Sequence, residues 1–335
     1  MVKRIISVIY LLFSATVKNT LSYGSVISLY NSTWDMKQRL QSIANIAAKF
    51  QESSLYIEKI RSFLNFEQKI KDTEASKTIP EDKGQLELKN VSFSYGDNDK
   101  DILKNISLTI KPNEKIALVG YNGAGKTTFT KLMMRLYDVK KGEILYNGVN
   151  IKDYKIEEYR SCFGTVFQDY QIFAASVSEN VLMDKVEEHH YSSIQNAMIN
   201  SGFAKKFNEL KQGMHTQLSR EFDDTGILLS GGESQKLAIA RVFAKPCFIQ
   251  ILDEPSSALD PISEYNLNQT MLEAAKNKTV IFISHRLSTT MMADKIYMLE
   301  NGEIIEQGSH EELMRTGGKY AEMFNVQAEK YRTNL

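Results

Sequence analysis

The chain has 335 residues, which is enough for a globular domain with a full core and an extension beyond it. Its 41 basic and 41 acidic residues cancel, so the sequence lacks the basic footprint of proteins that bind nucleic acid. A protein that acts on DNA or RNA is therefore disfavoured, and no nucleic-acid partner is expected. Cys162 and Cys247 are the two cysteines, and such sparse usage favours buried, reduced thiols.

Residues 1–36 differ from the rest of the chain in hydropathy. Lys3 and Arg4 precede an almost uninterrupted apolar run, residues 5–17, and a moderately hydrophobic run follows at residues 21–34. Each run is shorter than the about 20 residues that an independent membrane span needs. We interpret this region as a partial transmembrane helical hairpin whose basic end lies on the cytoplasmic side. A hydrophobic helix docked on a soluble domain is the alternative.

The pattern of residues 37–66 is amphipathic, and these residues are interpreted as a cytoplasmic helical extension. Apolar side chains recur mostly at steps of three and four residues, with polar side chains between them. No Pro or Gly interrupts residues 25–66. One helix is therefore predicted from Leu21 to Phe66, about 70 Å long at 1.5 Å per residue. Residues 67–84 are charged, contain one proline and one glycine, and are interpreted as a linker.

Residues 85–327 alternate apolar strands with helices, and residues 328–335 form a C-terminal tail. This alternation predicts an α/β domain whose mostly parallel core sheet is covered on both faces and has an antiparallel β edge. The predicted strands are Leu86–Phe93 and Ile106–Ile110 for the antiparallel edge, and Ile116–Val119, Gly164–Phe167, Phe248–Leu252, Thr279–Ile283 and Lys295–Leu299 for the core.

The segment Gly120–Thr128, called the phosphate loop below, has the spacing of a phosphate-binding motif: glycine, four residues, then Gly-Lys-Thr. A buried strand is predicted before it and a helix, Phe129–Leu136, after it. The glycines let backbone N–H groups turn toward an anion, and the helix start adds partial positive charge. Lys126 would reach the β- and γ-phosphates, and the Thr127 hydroxyl would hold Mg²⁺. A glycine-rich turn that binds nothing is the alternative.

The sequence therefore predicts a nucleoside triphosphate site. The loop residues expected to contact the nucleotide are Gly120, Asn122, Gly123, Ala124, Gly125, Lys126, Thr127 and Thr128.

The predicted strand Phe248–Leu252 is followed by two adjacent carboxylates, Asp253 and Glu254. Carboxylates at the end of a buried strand are costly unless they meet cations, water or ligand. Ligands of parallel sheets bind at the carboxyl end of the strands. We expect Asp253 to accept the Mg²⁺ hydration shell and Glu254 to face the water that attacks the γ-phosphate. An ordinary acidic turn is the alternative. Gln250 would need a hydrogen-bond partner if it is buried.

The segment Leu229–Gln235, called the signature segment below, combines a helix cap with a double glycine. Ser230 and Glu233 have the spacing of a capping box, so helix initiation alone would explain this pair. A cap does not require Gly231 and Gly232, which let the backbone approach an anion closely at a helix start. Taken alone, the motif is weak.

Together these segments resemble the ATP-binding cassette family, in the fixed order of its motifs. The three long matches are the phosphate loop, the signature segment and the Mg²⁺ strand with its two carboxylates. The short matches are the dimer-interface loop Ser257–Asp260, the switch histidine His285, the glutamine-loop residue Gln168 and Tyr95, which would stack on adenine. Taken singly, each short match would more simply be a structural or solvated residue.

The resemblance implies a P-loop NTPase fold with a helical subdomain, and a head-to-tail pair of cassettes with two ATP molecules and Mg²⁺ at their interface. In the family, Glu254 is the general base, and Lys126 and His285 contact the γ-phosphate. Gln168 couples the site to the membrane part and is also assigned here to the metal site. Ser230, Gly231, Gly232 and Glu233 would close over the nucleotide held by the second cassette. Glu233 departs from the family, which most often has glutamine, but it still caps the helix and does not imply inactivation.

The N-terminal part loosely resembles the last membrane hairpin of the exporter branch, in which membrane domain and cassette share one chain. Most of that membrane domain is missing, so the chain is predicted to be a fragment of a longer product or to work with a partner that supplies the missing helices.

The implied function is ATP hydrolysis coupled to transport of an unknown substrate across the plasma membrane, with the ATPase domain on the cytoplasmic side. Homodimer and heterodimer both stay open. The alternatives are a soluble cassette protein acting on ribosomes or DNA, and a nucleotide-gated binding module without turnover.

Overall fold

The structure, a computed structural model, divides by its internal contacts into two compact units, Met1–Lys69 and Ile70–Leu335. The residues that it describes are 10–11, 13–18, 22–73, 76–80, 83–96, 100–253, 261–284 and 290–332.

The first unit is dominated by one long helix, α1 (Tyr23–Leu64). It begins after Ser22, whose side chain accepts a hydrogen bond from the Ser25 N–H, and it ends at the cap residue Asn65. Its 42 residues span about 63 Å at 1.5 Å per residue, which confirms the predicted helix to within two residues at each end. Helix continuity follows from the absence of Pro and Gly after its first turn.

The apolar side chains of α1 are exposed along its length in this chain, Phe50 and Phe63 among them. Among the residues described, no helix combines the length and the apolar content that a membrane crossing requires. The assignment of residues 1–36 to a membrane hairpin stays a prediction, and residues 1–9 and 19–21 of it lie outside the described residues.

Among the described residues, the second unit contains two β-sheets. The strands are β1 (Leu86–Phe93), β2 (Leu103–Ile110), β3 (Lys115–Val119), β4 (Lys141–Tyr146), β5 (Val149–Asn150), β6 (Phe163–Val166), β7 (Ile249–Asp253), β8 (Thr279–Ile283), β9 (Lys295–Glu300) and β10 (Glu303–Gly308). The six-stranded core sheet has the order β10-β9-β3-β8-β7-β6, and all its neighbouring pairs are parallel except β9 with β10. The predicted mostly parallel core is confirmed.

The antiparallel strands form a sheet of their own, with the order β2-β1-β4-β5. The predicted strand Leu86–Phe93 is confirmed as β1, whereas β2 begins at Leu103 rather than at the predicted Ile106. Two hairpins, β4–β5 and β9–β10, turn through Asn-Gly pairs, in which Asn147 and Asn301 adopt φ of 51° and 49°. Positive φ at both central residues is the geometry of the tight turns that connect antiparallel strands.

Alternation along the core strands builds two apolar layers. In β3, Ile116 and Leu118 pack into the core between the two sheets, while Ala117 and Val119 pack into the core on the opposite face. Successive side chains of a strand point to opposite faces of the sheet, so an apolar strand places apolar residues on both faces. Each face is then buried against other elements. Gln250 on β7 is 1% exposed, and its Nε2 has no hydrogen-bond partner among the described residues. The hydrogen-bond partner expected for the Gln250 amide nitrogen is therefore not found among the described residues.

Helices cover the core sheet and form a third apolar cluster beside it. The α-helices that the structure describes in the second unit are α2 (Lys126–Met133), α3 (Ile156–Ser161), α4 (Val177–Leu182), α5 (Tyr191–Asn200), α6 (Ala204–Glu209), α7 (Gly231–Ala244), α8 (Pro261–Ala274), α9 (His310–Thr316) and α10 (Lys319–Arg332). The third cluster joins α4, α5 and one side of α7 through residues such as Val177, Ile194 and Leu237, and it is the helical subdomain.

The described residues of 77–84, within the predicted linker, belong to the second unit and are hydrogen-bonded to the rest of it. The N–H of Lys77 donates to the Asp153 carbonyl at 2.6 Å, and the N–H of Gly84 donates to the buried Tyr146 hydroxyl at 2.9 Å. The Ile79 N–H donates to Glu158 at 3.0 Å. These bonds fix this stretch against the domain that it precedes.

Candidate functional site

The phosphate loop lies between β3 and α2, as predicted. Its three glycines have positive φ: 150° at Gly120, 82° at Gly123 and 107° at Gly125. A Cβ at Gly120 would overlap the Leu299 carbonyl oxygen, and one at Gly125 would lie 2.7 Å from the Leu103 side chain. Glycine is thus required both by the backbone conformation and by the close packing of the loop against neighbouring strands.

Helix α2 begins at Lys126 rather than at the predicted Phe129, because Gly125 is its N-cap. Lys126 and Thr127 therefore belong to the first helical turn, whose N–H groups have no partner within the helix. No side chain caps this end, whereas the starts of α4, α7 and α9 each carry a Ser–Glu capping box. The uncapped donors and the helix dipole suit an anion at this position.

The Lys126 ammonium is held within the loop. Its Nζ donates to the Gly120 carbonyl at 2.7 Å and to the Tyr121 carbonyl at 3.2 Å. The side chain is half-buried, so its charge is less screened by solvent than that of an exposed lysine. This places a point charge beside the backbone donors that a phosphate would meet.

A cleft of about 620 Å³, called the phosphate cleft below, brings together residues from several elements. It is lined by Ile102, Asn122, Gly123, Gly125, Lys126, Thr127, Thr128, Gln168 and Asp253. Gln168, which follows β6, and Asp253, at the carboxyl end of β7, thus share one cleft with the phosphate loop. This is the edge of the sheet at which the sequence places the ligand.

The oxygen atoms in this cleft fit a magnesium ion bound together with a nucleotide. Thr127, Gln168 and Asp253 offer a hydroxyl, an amide and a carboxylate oxygen, which are hard donors. Among the described residues, no group of three or more His, Cys, Asp or Glu side chains is arranged to hold a metal ion by itself. Mg²⁺ commonly takes one or two protein oxygens and completes its shell with water and phosphate, so this donor set is sufficient.

Tyr95 lies next to the phosphate loop, although it does not line the phosphate cleft itself. Its hydroxyl is 3.3 Å from Thr128 Oγ1, and its ring is half-buried. It makes edge contacts with Phe93 and Tyr137, both with ring centroids 5.0 Å from its own. A ring in this position can offer a stacking surface beside the phosphates.

The signature segment forms the start of α7, and its predicted capping box is present. The Ser230 N–H donates to Glu233 Oε2 at 2.8 Å, while the Glu233 N–H donates to Ser230 Oγ at 3.4 Å. Lys206 reaches the other carboxylate oxygen of Glu233 at 3.2 Å. Burial raises the pKa of Glu233, but the Ser230 hydrogen bonds and the Lys206 ammonium outweigh it and lower the pKa. The carboxylate is therefore charged and locally compensated.

The structure does not bring every predicted residue to one place. The signature residues Ser230–Glu233 are absent from the lining of the phosphate cleft, so within the described chain these two groups are separate. The Tyr170 hydroxyl donates to the Gly231 carbonyl at 3.2 Å and links the chain just after Gln168 to the signature segment. Glu254, Ser257–Asp260 and His285 lie outside the described residues.

Several residues of the site are not anticipated by the sequence analysis. Ile102 lines the cleft, Tyr137 contacts Tyr95, and Tyr170 and Lys206 contact the signature. No local motif marks these positions, since each acts through a tertiary contact with a residue that is distant in sequence.

The capping role of Glu233 makes a stability prediction. Glu233→Gln keeps an oxygen that can accept from the Ser230 N–H, so the free energy of unfolding should change by less than about 0.5 kcal/mol, the range of a partly exposed ion pair. Glu233→Ala removes that acceptor and should cost about 1 kcal/mol. Urea unfolding followed by circular dichroism measures both. An equal loss in the two variants would show that the charge, rather than the cap, carries the stabilisation.

Comparison with known proteins adds an independent finding. The family model described as ABC transporter matches residues 103–257. The ATP-dependent lipid A-core flippases of Pectobacterium atrosepticum and Haemophilus influenzae are 34% and 36% identical to this chain, over 96% of it and 54% of each flippase. The subtilin transport ATP-binding protein SpaT of Bacillus subtilis is 34% identical, over 94% of this chain and 51% of that protein.

Solved structures give the same result. The structure of a bacterial Atm1-family ABC exporter with ATP bound aligns with a TM-score of 0.74 and 29% identity. The alignment covers 92% of this chain and 53% of that chain. The chain therefore spans about half the length of the relatives that it matches.

Proposed function

The chain belongs to the ATP-binding cassette family, and we propose that it is the ATP-binding and ATP-hydrolysing part of an exporter. The single observation that carries this proposal is the phosphate cleft. There Lys126 and Thr127 of the phosphate loop, Gln168 of the glutamine loop and Asp253 of the Mg²⁺ strand line one volume. A lysine, an uncapped helix start and magnesium-type oxygens are the parts that phosphoryl transfer to water requires.

Each residue has a distinct part in this proposal. The loop N–H groups and Lys126 bind the β- and γ-phosphates and balance their charge. Thr127, Gln168 and Asp253 hold Mg²⁺, which, when bound, neutralises charge that develops on the phosphate oxygens. Glu254, the residue after Asp253, takes the proton of the attacking water, and His285 contacts the γ-phosphate.

We propose a second cassette as the partner, identical or different, because the signature residues do not line the chain's own cleft. Gly231 supports this. Its φ is not positive, and a Cβ built on it would meet nothing within 4 Å. The fold of this chain therefore does not require glycine there, whereas a nucleotide held by a facing cassette would.

Gly231→Ala tests that reading. We expect the free energy of unfolding to stay the same or to rise by up to about 1 kcal/mol, since Ala is better than Gly in a helix by roughly 0.5–1 kcal/mol. ATP hydrolysis should drop at least about 10-fold, because the added methyl group obstructs approach of the facing phosphates. A coupled phosphate-release assay and a urea titration measure the two effects. A stable variant with unchanged hydrolysis would contradict the role of the signature.

The proposed function is tested by magnesium-dependent release of inorganic phosphate from ATP by the full chain. Because two cassettes share each site, the rate should rise more steeply than the first power of protein concentration. ATP binding without phosphate release would instead identify a nucleotide-gated binding module. Absence of both would overturn the proposal.

We further propose the domain plan and location that the sequence suggests. Residues 85–327 are the cassette on the cytoplasmic side, joined through residues 67–84 and the extension 37–66 to a partial membrane hairpin, residues 1–36. Further membrane helices would complete the path of an exported substrate. The names of the relatives support a transport role. One is a lipid A-core flippase and another, SpaT, is a subtilin transport protein. Partitioning of the expressed chain into membranes tests this location against a soluble cassette protein.

A further inference from the structure

Three aromatic rings meet beside the phosphate loop. Tyr95 and Tyr137 contact edge to face, with centroids 5.0 Å apart and an interplanar angle of 83°. Phe93 contacts both, at 5.0 Å from Tyr95 and 5.7 Å from Tyr137. Phe93 is buried at 3% exposure, whereas Tyr137 remains 41% exposed, so Tyr137 is the solvent-side wall of this cluster. Such edge-to-face pairs restrict the orientation of the rings.

One lysine hydrogen-bonds to both sequence neighbours of Tyr95. The Lys140 Nζ donates to Ser94 Oγ at 2.8 Å and to the Gly96 carbonyl at 2.6 Å. Ser94 is 2% exposed, and Gly96 adopts a φ of 62°. One ammonium group thus closes the turn that carries the Tyr95 ring.

Tyr137 and Lys140 lie on the same short connection between α2 and β4, and this connection is anchored. Arg135 adopts a φ of 50° and is 3% exposed. Its Nη1 donates to the carbonyls of Ile151 and Tyr154 at 3.2 and 3.1 Å. A buried guanidinium with several acceptors holds the backbone in a conformation that is otherwise unfavourable for a residue with a side chain. The connection is therefore a fixed support for what it contacts.

We propose that Tyr137 and Lys140 are positioning residues that hold the Tyr95 ring in place for stacking on the nucleobase. This inference rests on the proposed function, because it requires that a nucleotide occupy the phosphate cleft. Neither residue lines that cleft. Each acts through Tyr95. Tyr137 limits the rotation of its ring, and Lys140 ties the Ser94 side chain to the Gly96 backbone across the turn that carries it. A ring held before binding loses less conformational freedom when the base stacks, which strengthens binding without a new contact.

The experiment compares two ligands on the full chain by isothermal titration calorimetry in the presence of Mg²⁺. ATP has a base, whereas inorganic tripolyphosphate has the phosphates alone. Tyr137→Leu should raise the Kd for ATP about 3- to 10-fold, the range of an aromatic pair, and leave the Kd for tripolyphosphate within about twofold. Lys140→Met should weaken ATP binding about 2- to 10-fold with the same selectivity. Tyr137→Phe and Lys140→Arg are the matched controls and should bind ATP like the unmodified chain.

A double-mutant cycle separates positioning from direct contact with the base. In a Tyr95→Leu background, adding Tyr137→Leu should cause no further loss of ATP affinity, because the residue through which it acts is already gone. A further loss would overturn the inference and make Tyr137 a base contact. Equal weakening of ATP and tripolyphosphate, or no effect of either single variant on ATP, would also overturn it. If the unmodified chain binds neither ligand, the proposed function itself fails.

Discussion

Replacing Lys126 with alanine should abolish ATP binding at micromolar nucleotide concentrations. The structure holds the Lys126 ammonium between the Gly120 and Tyr121 carbonyls, at the start of a helix that no side chain caps. Loss of hydrogen bonds to a charged group costs about 1.5–3 kcal/mol each, and the ammonium can donate to both the β- and γ-phosphates. A loss of about 3 kcal/mol corresponds to a Kd roughly 150-fold higher.

The measurement is a titration with a fluorescent ATP analogue, and the chain offers a matched control. Lys131 lies on the same helix, in its last turn, and does not line the phosphate cleft. Lys131→Ala removes the same charge from the same helix and should leave ATP binding within about threefold, since a distant half-exposed charge is strongly screened. If Lys126→Ala still binds ATP at micromolar concentrations, the assignment of Gly120–Thr128 as the phosphate-binding loop is contradicted. Equal losses in both variants would point to net charge rather than to a specific contact.

The parts of the fold that follow from local sequence could be predicted. Core strands such as β3 and β8 are short apolar runs, because both of their faces are covered. Strand β10 is not predicted by hydropathy, because its side chains alternate between exposed and half-buried and form no apolar run. The Asn301-Gly302 pair before it is a hairpin signal, and such turn chemistry is more informative here than hydropathy.

The start of α2 is not marked by a usual cap residue. Helix starts are usually recognised by Ser, Thr, Asp or Asn at the cap, and α2 instead has Gly125 there. The apolar pattern therefore predicts the helix start at Phe129, three residues after the observed start at Lys126. The missing cap is itself functional in our proposal, because a capping side chain would compete with phosphate for the same N–H groups.

The supporting contacts of the site could not be predicted from one sequence. Tyr95–Tyr137 and Lys140–Gly96 meet because β1 and β4 pair in one sheet, and Lys206–Glu233 meets where α6 approaches α7. The motif residues are recognisable because their spacing is fixed within one loop. Residues that position them are free to come from any neighbouring segment.

Replacing Glu254 with glutamine should leave ATP binding intact and lower turnover at least about 100-fold, the usual contribution of a general base. Glutamine has the shape of glutamate but does not take a proton from water. Asp253, which lines the cleft at the end of β7, is unchanged in this variant, so the oxygen donors for Mg²⁺ remain. ATP should then accumulate uncleaved between paired cassettes, and the dimer should outlast that of the unmodified chain.

Two readouts on the same preparation test this expectation. Steady-state phosphate release measures turnover, and size-exclusion chromatography with light scattering in MgATP measures the fraction of paired chains. Glu273→Gln, on the exposed side of α8, is the carboxylate-to-amide control and should match the unmodified chain in both. Slow turnover together with an ATP-stabilised dimer is the pattern expected when only the proton acceptor is lost. Equal turnover in Glu254→Gln and the unmodified chain would remove Glu254 as the base and move that role to another residue of the site.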